Sequence, residues 1–234
     1  MKSIIFSFLL LSTTLSLFPL TGFSSTFTSD NPIVLPTTTE DNGLPVLPEV
    51  LDINGEPLLI GQEYHILSAV WGAGGGGVYL TKIGNTKCPN AVVQHGRDTQ
   101  QGMPVKFLTR LPTHPPFDVI RETNEVEIMF SIRSTPRCDN GTYWMVDNPD
   151  MTARGTRFVV TSAIKIVPNI WFNIEKLSKT LPFYKLRHCP SRSICPTCPC
   201  SDVGLTILKG YRRLALTNQP FMVVFKKVQK STDA

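Results

Sequence analysis

Val50-Leu51-Asp52-Ile53-Asn54-Gly55-Glu56-Pro57-Leu58, followed by Gly61 and then Tyr64-His65-Ile66, reads as an extended apolar run, a tight Asn-Gly turn and a second extended run. Asn and Gly both tolerate the left-handed backbone that a two-residue hairpin turn demands, so the stretch is a hairpin signal in its own right. Short strand-like runs separated by turn residues follow at Tyr64 to Leu67, Val78-Tyr79-Leu80, Ala91-Val92-Val93, Val126 to Ile132, Tyr143 to Val146 and Phe158-Val159-Val160. The last third adds Trp171 to Ile174, Tyr184-Lys185-Leu186, Leu205 to Leu208, Leu214-Ala215-Leu216 and Phe221 to Phe225. The clearest alternation sets Val126, Ile128, Phe130 and Ile132 on one face and Glu127 and Ser131 on the other. That period of two belongs to a strand with one buried face. About eleven such runs spaced by turns predict an all-β sandwich or barrel. The 19 prolines and 16 glycines leave little room for long helices, and Ile174 to Thr180 is too short to change the class. Periodicity alone does not choose between sandwich, jelly roll and trefoil.

The 234 residues amount to one large domain or two small ones. A hydrophobic content of 41% against 18% charged residues supports a real core and argues against wholesale disorder. The net charge of +5, from 23 basic and 18 acidic residues, lacks the concentrated basic stripe of a nucleic-acid binder. At the N-terminus, Lys2 precedes the nearly charge-free segment Ile4 to Leu20. Pro19 and Gly22 then break the run, and Gly22-Phe23-Ser24 places small residues at a cleavage site. Residues 1–24 therefore read as a secretory signal peptide. A membrane anchor fits less well, because the stretch falls short of the ~20 apolar residues a span needs and Ser and Thr interrupt it. Nothing later resembles a membrane helix, so the mature chain is expected to be soluble. Thr26 to Pro48 is rich in Thr, Pro, Asp and Asn without apolar period; residues 25–46 read as a leader ahead of a domain over 47–234.

Secretion sets how the six cysteines are read. Cys88, Cys138, Cys189, Cys195, Cys198 and Cys200 are even in number and enter an oxidising compartment, which favours structural bridges. Cys195-Pro-Thr-Cys198 has CxxC spacing, but a zinc site would have only Cys189, Cys200 and His188 nearby as further ligands. Pro196 and Pro199 disfavour the helix that a redox motif opens. Four cysteines near the C-terminus allow three connectivities. Asn140-Gly141-Thr142 is a glycosylation sequon, usable on this route. Gly72-Ala73-Gly74 to Gly77 resembles a phosphate cradle but lacks a following Gly-Lys-Ser/Thr, and reads as a flexible inter-strand loop. His65, His95, His114 and His188 show no metal spacing, and no Ser-His-Asp arrangement or Gly-x-Ser-x-Gly turn is readable, so neither a metal, nor a cofactor, nor an enzymatic activity is expected.

The Val50–Leu58 stretch with Gly61 and Tyr64-His65-Ile66 resembles the N-terminal signature of the plant Kunitz (soybean trypsin inhibitor) family. The resemblance is extended by Cys88-Pro89 before Val92-Val93-Gln94, by Cys138 before Trp144, by Asp202-Val203-Gly204, and by Arg212 to Leu216 with Pro220-Phe221 and Phe225. Within the family the chain most resembles the nightshade-type and miraculin-like members. The family fold implied is a disulfide-bonded β-trefoil of twelve strands, with pseudo-repeats at roughly 47–103, 104–167 and 168–228. The resemblance implies bridges Cys88–Cys138, Cys189–Cys200 and Cys195–Cys198. Asn31-Pro32-Ile33-Val34-Leu35-Pro36 resembles the family's vacuolar sorting signal, which implies a vacuolar destination, with an extracellular one as the alternative.

The resemblance further implies a protease inhibitor acting as a monomer, without nucleic-acid or membrane partners. Gly102-Met103-Pro104-Val105-Lys106-Phe107-Leu108 matches the nightshade members' inhibitory loop, with Lys106 at the primary specificity position. A trypsin-type protease carries an aspartate at the bottom of its specificity pocket, and an extended lysine reaches it. Lys106–Phe107 is thus expected on a projecting loop at the catalytic serine, stiffened by Pro104. Arg110-Leu111-Pro112 is a second basic-then-apolar candidate. Ile60 stands where some members carry a loop-bracing asparagine, and cannot make those hydrogen bonds. Inhibition of aspartic (cathepsin D-like) or cysteine proteases, and a non-inhibitory storage role, are the alternatives; the Gln-x-Trp repeats of trefoil lectins are missing around Trp71, Trp144 and Trp171.

Overall fold

Apolar residues at alternate positions draw the chain into twelve strands. They are β1 Glu63–Ser68, β2 Val78–Thr81, β3 Ala91–Gln94, β4 Val105–Thr109, β5 Val126–Phe130 and β6 Tyr143–Val146, then β7 Val159–Ser162, β8 Phe172–Lys176, β9 Tyr184–His188, β10 Ser201–Leu208, β11 Tyr211–Leu216 and β12 Val223–Lys227. The computed structural model describes residues 47–72, 74–109, 118–132, 141–148, 155–163, 165, 169–190 and 195–229. No helix occurs among them.

Six strands close a barrel through antiparallel pairs β1–β4, β4–β5, β5–β8, β8–β9, β9–β12 and β12–β1. The other six form the hairpins β2–β3, β6–β7 and β10–β11, with β3 joining both β11 and β7. A closed six-stranded barrel with three hairpins is a β-trefoil. Its repeats are β1–β4, β5–β8 and β9–β12, so the expected boundaries at 104 and 168 fall one strand early, ahead of β4 and β8.

The barrel interior takes one face of each strand. Tyr64, Val105, Phe107, Ile128, Phe130, Phe172, Ile174, Tyr184, Val223 and Phe225 are all essentially inaccessible. Their rings interlock: Phe107 meets Phe225 edge-on at 5.4 Å, Tyr184 lies 5.6 Å from Phe225, and Phe130 lies 5.5 Å from Trp144. Such offset and edge-on pairs add specificity to the area they bury.

The Asn54-Gly55 turn forms, with Gly55 at φ 82°, but its flanks are not full strands. They make single bridges, Leu51 with Pro57, Leu59 with Val119 and Glu49 with Arg121. Pro57 has no N–H to extend a ladder, and Asp52 closes the turn instead, its Oδ1 accepting from the Asn54 and Glu56 amides at 2.8 and 3.1 Å. The segment is sewn to the barrel by Ile53 N to Phe225 O at 2.9 Å and by the Tyr184 and Tyr64 hydroxyls, which accept from the Leu51 and Leu59 amides.

His188, at the end of β9, is buried edge-on against Phe172. Burial, reinforced by the charge of Arg157, pushes its pKa down to about 4. A folded-state pKa below the unfolded one means that acid favours the unfolded chain. Stability is therefore full above the ordinary histidine value and is lost as pH falls from about 6.5 to about 4, by on the order of 3 kcal/mol. Denaturant titrations at pH 7 and pH 4 should show that loss in the wild type and a much smaller one in His188→Gln; equal losses would clear His188 of the effect. In the same assay at pH 7, Phe107→Ala should cost about 3–5 kcal/mol.

Candidate functional site

Lys106 does not stand on a projecting loop. It is the second residue of β4, paired on one edge with Glu63 of β1 and on the other with Met129 of β5. Its Nζ lies 3.5 Å from Glu63 Oε1, and Ser131 Oγ donates to the same carboxylate. The Pro104 carbonyl accepts from Ser131 N at 2.8 Å. Val105 and Phe107 on either side are 0% exposed. The cause is the two-residue period: Val105 and Phe107 alternate with Lys106 and Leu108, and burying each apolar side chain is worth about 1.5–3 kcal/mol. A peptide bond hydrogen-bonded on both edges of a barrel strand cannot enter a protease cleft, so Lys106–Phe107 is corrected from inhibitory bond to barrel wall. Arg110 and Leu111 lie outside the described residues, as do Cys138 and Asn140. Ile60 packs half-buried against the core.

Among the described residues, the connection from β3 to β4 is exposed along most of its length. Gly96, Arg97, Asp98, Thr99, Gln100 and Gln101 are all exposed. The chain enters this loop at His95, whose ring stacks on Tyr79 with centroids 3.8 Å apart and planes 11° from parallel. Partial burial there lowers the His95 pKa, favouring the neutral, stacking form. The loop leaves through Gly102, at φ 74°, and Met103 N donates to Val78 O at 2.8 Å.

Alongside runs the β1–β2 connection, Ala69 to Gly77, and the two backbones are hydrogen-bonded to each other. Gly76 N donates to His95 O at 2.9 Å, Gly77 N to Gln100 O at 2.8 Å, and His95 N to Gly77 O at 3.0 Å. Gln94 Nε2 donates to both Gly74 O and Gly76 O, at 2.7 and 2.9 Å. Asp98 Oδ2 accepts from Gly72 N at 3.3 Å. A Cβ at Gly76 would collide with the Arg97 and Gln100 carbonyls, and one at Gly77 with the Gln101 carbonyl. The glycine run is therefore neither a flexible loop nor a phosphate cradle. Its glycines admit a close backbone approach, and the amides of Gly76 and Gly77 are already committed. The outcome is a rigid double-loop protrusion carrying exposed Arg97 on one loop and exposed Trp71 on the other.

The sequence carried a signal for this protrusion. His95-Gly96-Arg97-Asp98-Thr99-Gln100-Gln101-Gly102 is polar, free of apolar period and bounded by glycine, which marks a loop. Its coupling to residues 72–77 has no local signature.

At the far end of the chain, Cys189 is bonded to Cys200 and Cys195 to Cys198. Cys88 is also disulfide-bonded. Beside the first of these bridges, Arg187 Nη1 lies 2.7 Å from Glu175 Oε1, while Lys185 Nζ and Arg187 Nε each lie 3.0 Å from Asp202 Oδ1. The hydrogen bond that Arg187 donates to Glu175 holds its pKa above the ordinary value. This network clamps β8, β9 and β10 together and leaves no open ligand set. No group of three or more metal-ligating side chains occurs among the described residues.

The family model described as "Trypsin and protease inhibitor", of legume Kunitz type, matches residues 50–227. "Cysteine protease inhibitor 8" of Solanum tuberosum is 42% identical over 221 residues, covering 92% of each chain. "Aspartic protease inhibitor 1" of the same plant is 38% identical over 225 residues, covering 92% of this chain and 96% of its own. The solved structure of a Kunitz-type cysteine protease inhibitor from potato matches with a TM-score of 0.66 and 44% identity, over 80% of this chain and all of that one. A closed trefoil, the Val50–Leu58 signature and these matches have one meaning: the chain belongs to the plant Kunitz family of protease inhibitors.

Proposed function

We propose that the chain inhibits a papain-like cysteine protease by laying the coupled β1–β2 and β3–β4 loops over the active-site cleft. Kunitz-family chains are inhibitors and not enzymes, and they bind their target proteases. The observation that carries the reading is the mutual hydrogen bonding of two exposed loops. An inhibitor must occupy a cleft built to cleave extended chain, and a loop already ordered loses little freedom on binding and resists distortion toward cleavage. The target class is supported by the relatives named as cysteine protease inhibitors, and by the place of Lys106, on which a trypsin-type reading rested, within the paired barrel strand β4.

Arg97 favours a second reading. It is an exposed cation on the rigid protrusion, the group a trypsin-like serine protease selects through the aspartate of its specificity pocket. Arg110–Leu111 remains a sequence candidate for the same role. A secretory route with a vacuolar destination is proposed with either reading, on the apolar segment Ile4 to Leu20, the Asn31 to Pro36 motif and the bonded cysteines.

Stoichiometric titration of the purified mature protein against papain, trypsin and a cathepsin D-like enzyme tests the reading. Inhibition of papain that survives Arg97→Ala is the expected result. Inhibition of trypsin alone, lost in Arg97→Ala or Arg110→Ala, would move the assignment to the serine class. A chain that inhibits none of the three would overturn the function. The stiffness argument has its own check. Gly77→Ala should keep the β-sheet circular dichroism, weaken inhibition at least about tenfold, a loss of about 1.4 kcal/mol, and open the segment 95–102 to slow cleavage.

A further inference from the structure

Trp71 is 85% exposed, the most of any large apolar side chain among the described residues. Its loop is not loose. Ser68 Oγ both donates to Val70 O and accepts from Val70 N at 3.1 Å, and Gly74 O accepts from Arg212 Nη2 at 3.1 Å as well as from Gln94. Val70 and Met222, 43% and 40% exposed, continue the apolar surface. Between Val70, Leu205, Phe221 and Met222 opens a cavity of about 320 Å³.

We propose that Trp71, with Val70 and Met222 beside it, is a second contact for the target protease, an anchor that grips apolar surface next to the active-site cleft and sets affinity without entering it. This rests on the loop-insertion reading above. The partner is identified by continuity: Gly72, next to Trp71, donates to Asp98, next to Arg97, so a protein seated on the β3–β4 loop meets the β1–β2 loop as well. Area gives the same answer. A stable complex buries about 800 Å² per partner, more than the six exposed residues 96–101 can supply as a narrow loop. The partner must spread onto neighbouring surface, and an indole contributes about 150–250 Å² with little rotamer freedom to lose. Tryptophan is correspondingly enriched among residues that dominate binding.

The test pairs Trp71→Ala and Trp71→Phe with the wild type, against both papain and trypsin. Each protease is used active and with its catalytic Cys or Ser covalently blocked. The alanine variant should inhibit about 30-fold more weakly, chiefly through faster dissociation, while the phenylalanine variant recovers most of the loss. Melting temperatures should not move. Blocked protease should retain weak binding to the wild type and none to Trp71→Ala. Inhibition by Trp71→Ala equal to wild type would overturn the anchor and leave loop insertion standing. Trp71-dependent binding to blocked protease, with the active enzyme uninhibited, would overturn loop insertion and keep the anchor. A wild type that sediments as a dimer and an alanine variant that sediments as a monomer would assign the surface to a second copy and overturn the proposal.

Discussion

Val105 and Phe107 belong inside the barrel, and much of the rest of the molecule is arranged by that fact. With both side chains buried, β4 is held in register between β1 and β5, and the barrel has no open edge at that point. The position of β4 fixes where the free loops lie. The chain comes off the β2–β3 hairpin at Gln94 and is pinned by the stack of His95 on Tyr79. It must re-enter the barrel at Val105. β4 ends at Thr109, and the Asp118 carbonyl accepts from Ile60 N at 2.7 Å. The barrel thus selects which residues are available for contact before any target is considered.

The stiffness of the protrusion is a balance of small terms. Each glycine in the run 74–77 gives up more chain freedom on folding than another residue would, by roughly 0.5–1 kcal/mol. Each backbone hydrogen bond it permits returns a similar amount, about 0.5–1.5 kcal/mol net. The two nearly cancel, so the glycines are not there for stability. What they permit is proximity: any side chain at Gly76 or Gly77 would push the two loops apart. The loops are consequently ordered before binding, which is the condition an inhibitor needs and a protease substrate lacks.

Strand periodicity made eleven of the twelve strands legible, because a period of two survives without knowledge of partners. The twelfth, β4, has the same alternation in Val105-Lys106-Phe107-Leu108. The family likeness spanning Gly102 to Leu108 points instead to a loop carrying a basic residue, although the apolar residues of the same motif mark a strand. The glycine run failed for a different reason. Glycine confers freedom on an unfolded chain, but in the fold Gly75, Gly76 and Gly77 are buried against a loop some twenty residues away. No local pattern reports that contact. Arg97 has no local signature either, since its significance comes from the rigidity of what lies beneath it. The Asn54-Gly55 turn was legible as a turn, whereas the single bridges flanking it follow from Pro57 and from the Asp52 carboxylate.

With the protrusion as the proposed contact surface, the division between barrel and protrusion accounts for one family containing members named for inhibition of different protease classes. The residues that hold the fold are buried and mutually constrained, so altering one of them costs several kcal/mol. Those on the protrusion, Val70, Trp71 and Arg97 to Gln101, are exposed, and substitution at such surface positions usually changes stability by no more than about 0.5 kcal/mol. The protrusion's shape is set mainly by backbone hydrogen bonds and glycines, with the Asp98 carboxylate on Gly72 N the exception among these exposed side chains. Target choice can then drift from one protease to another while the loops keep their form. On this view the identity of residues 71 and 97 carries more information about the target than the barrel does.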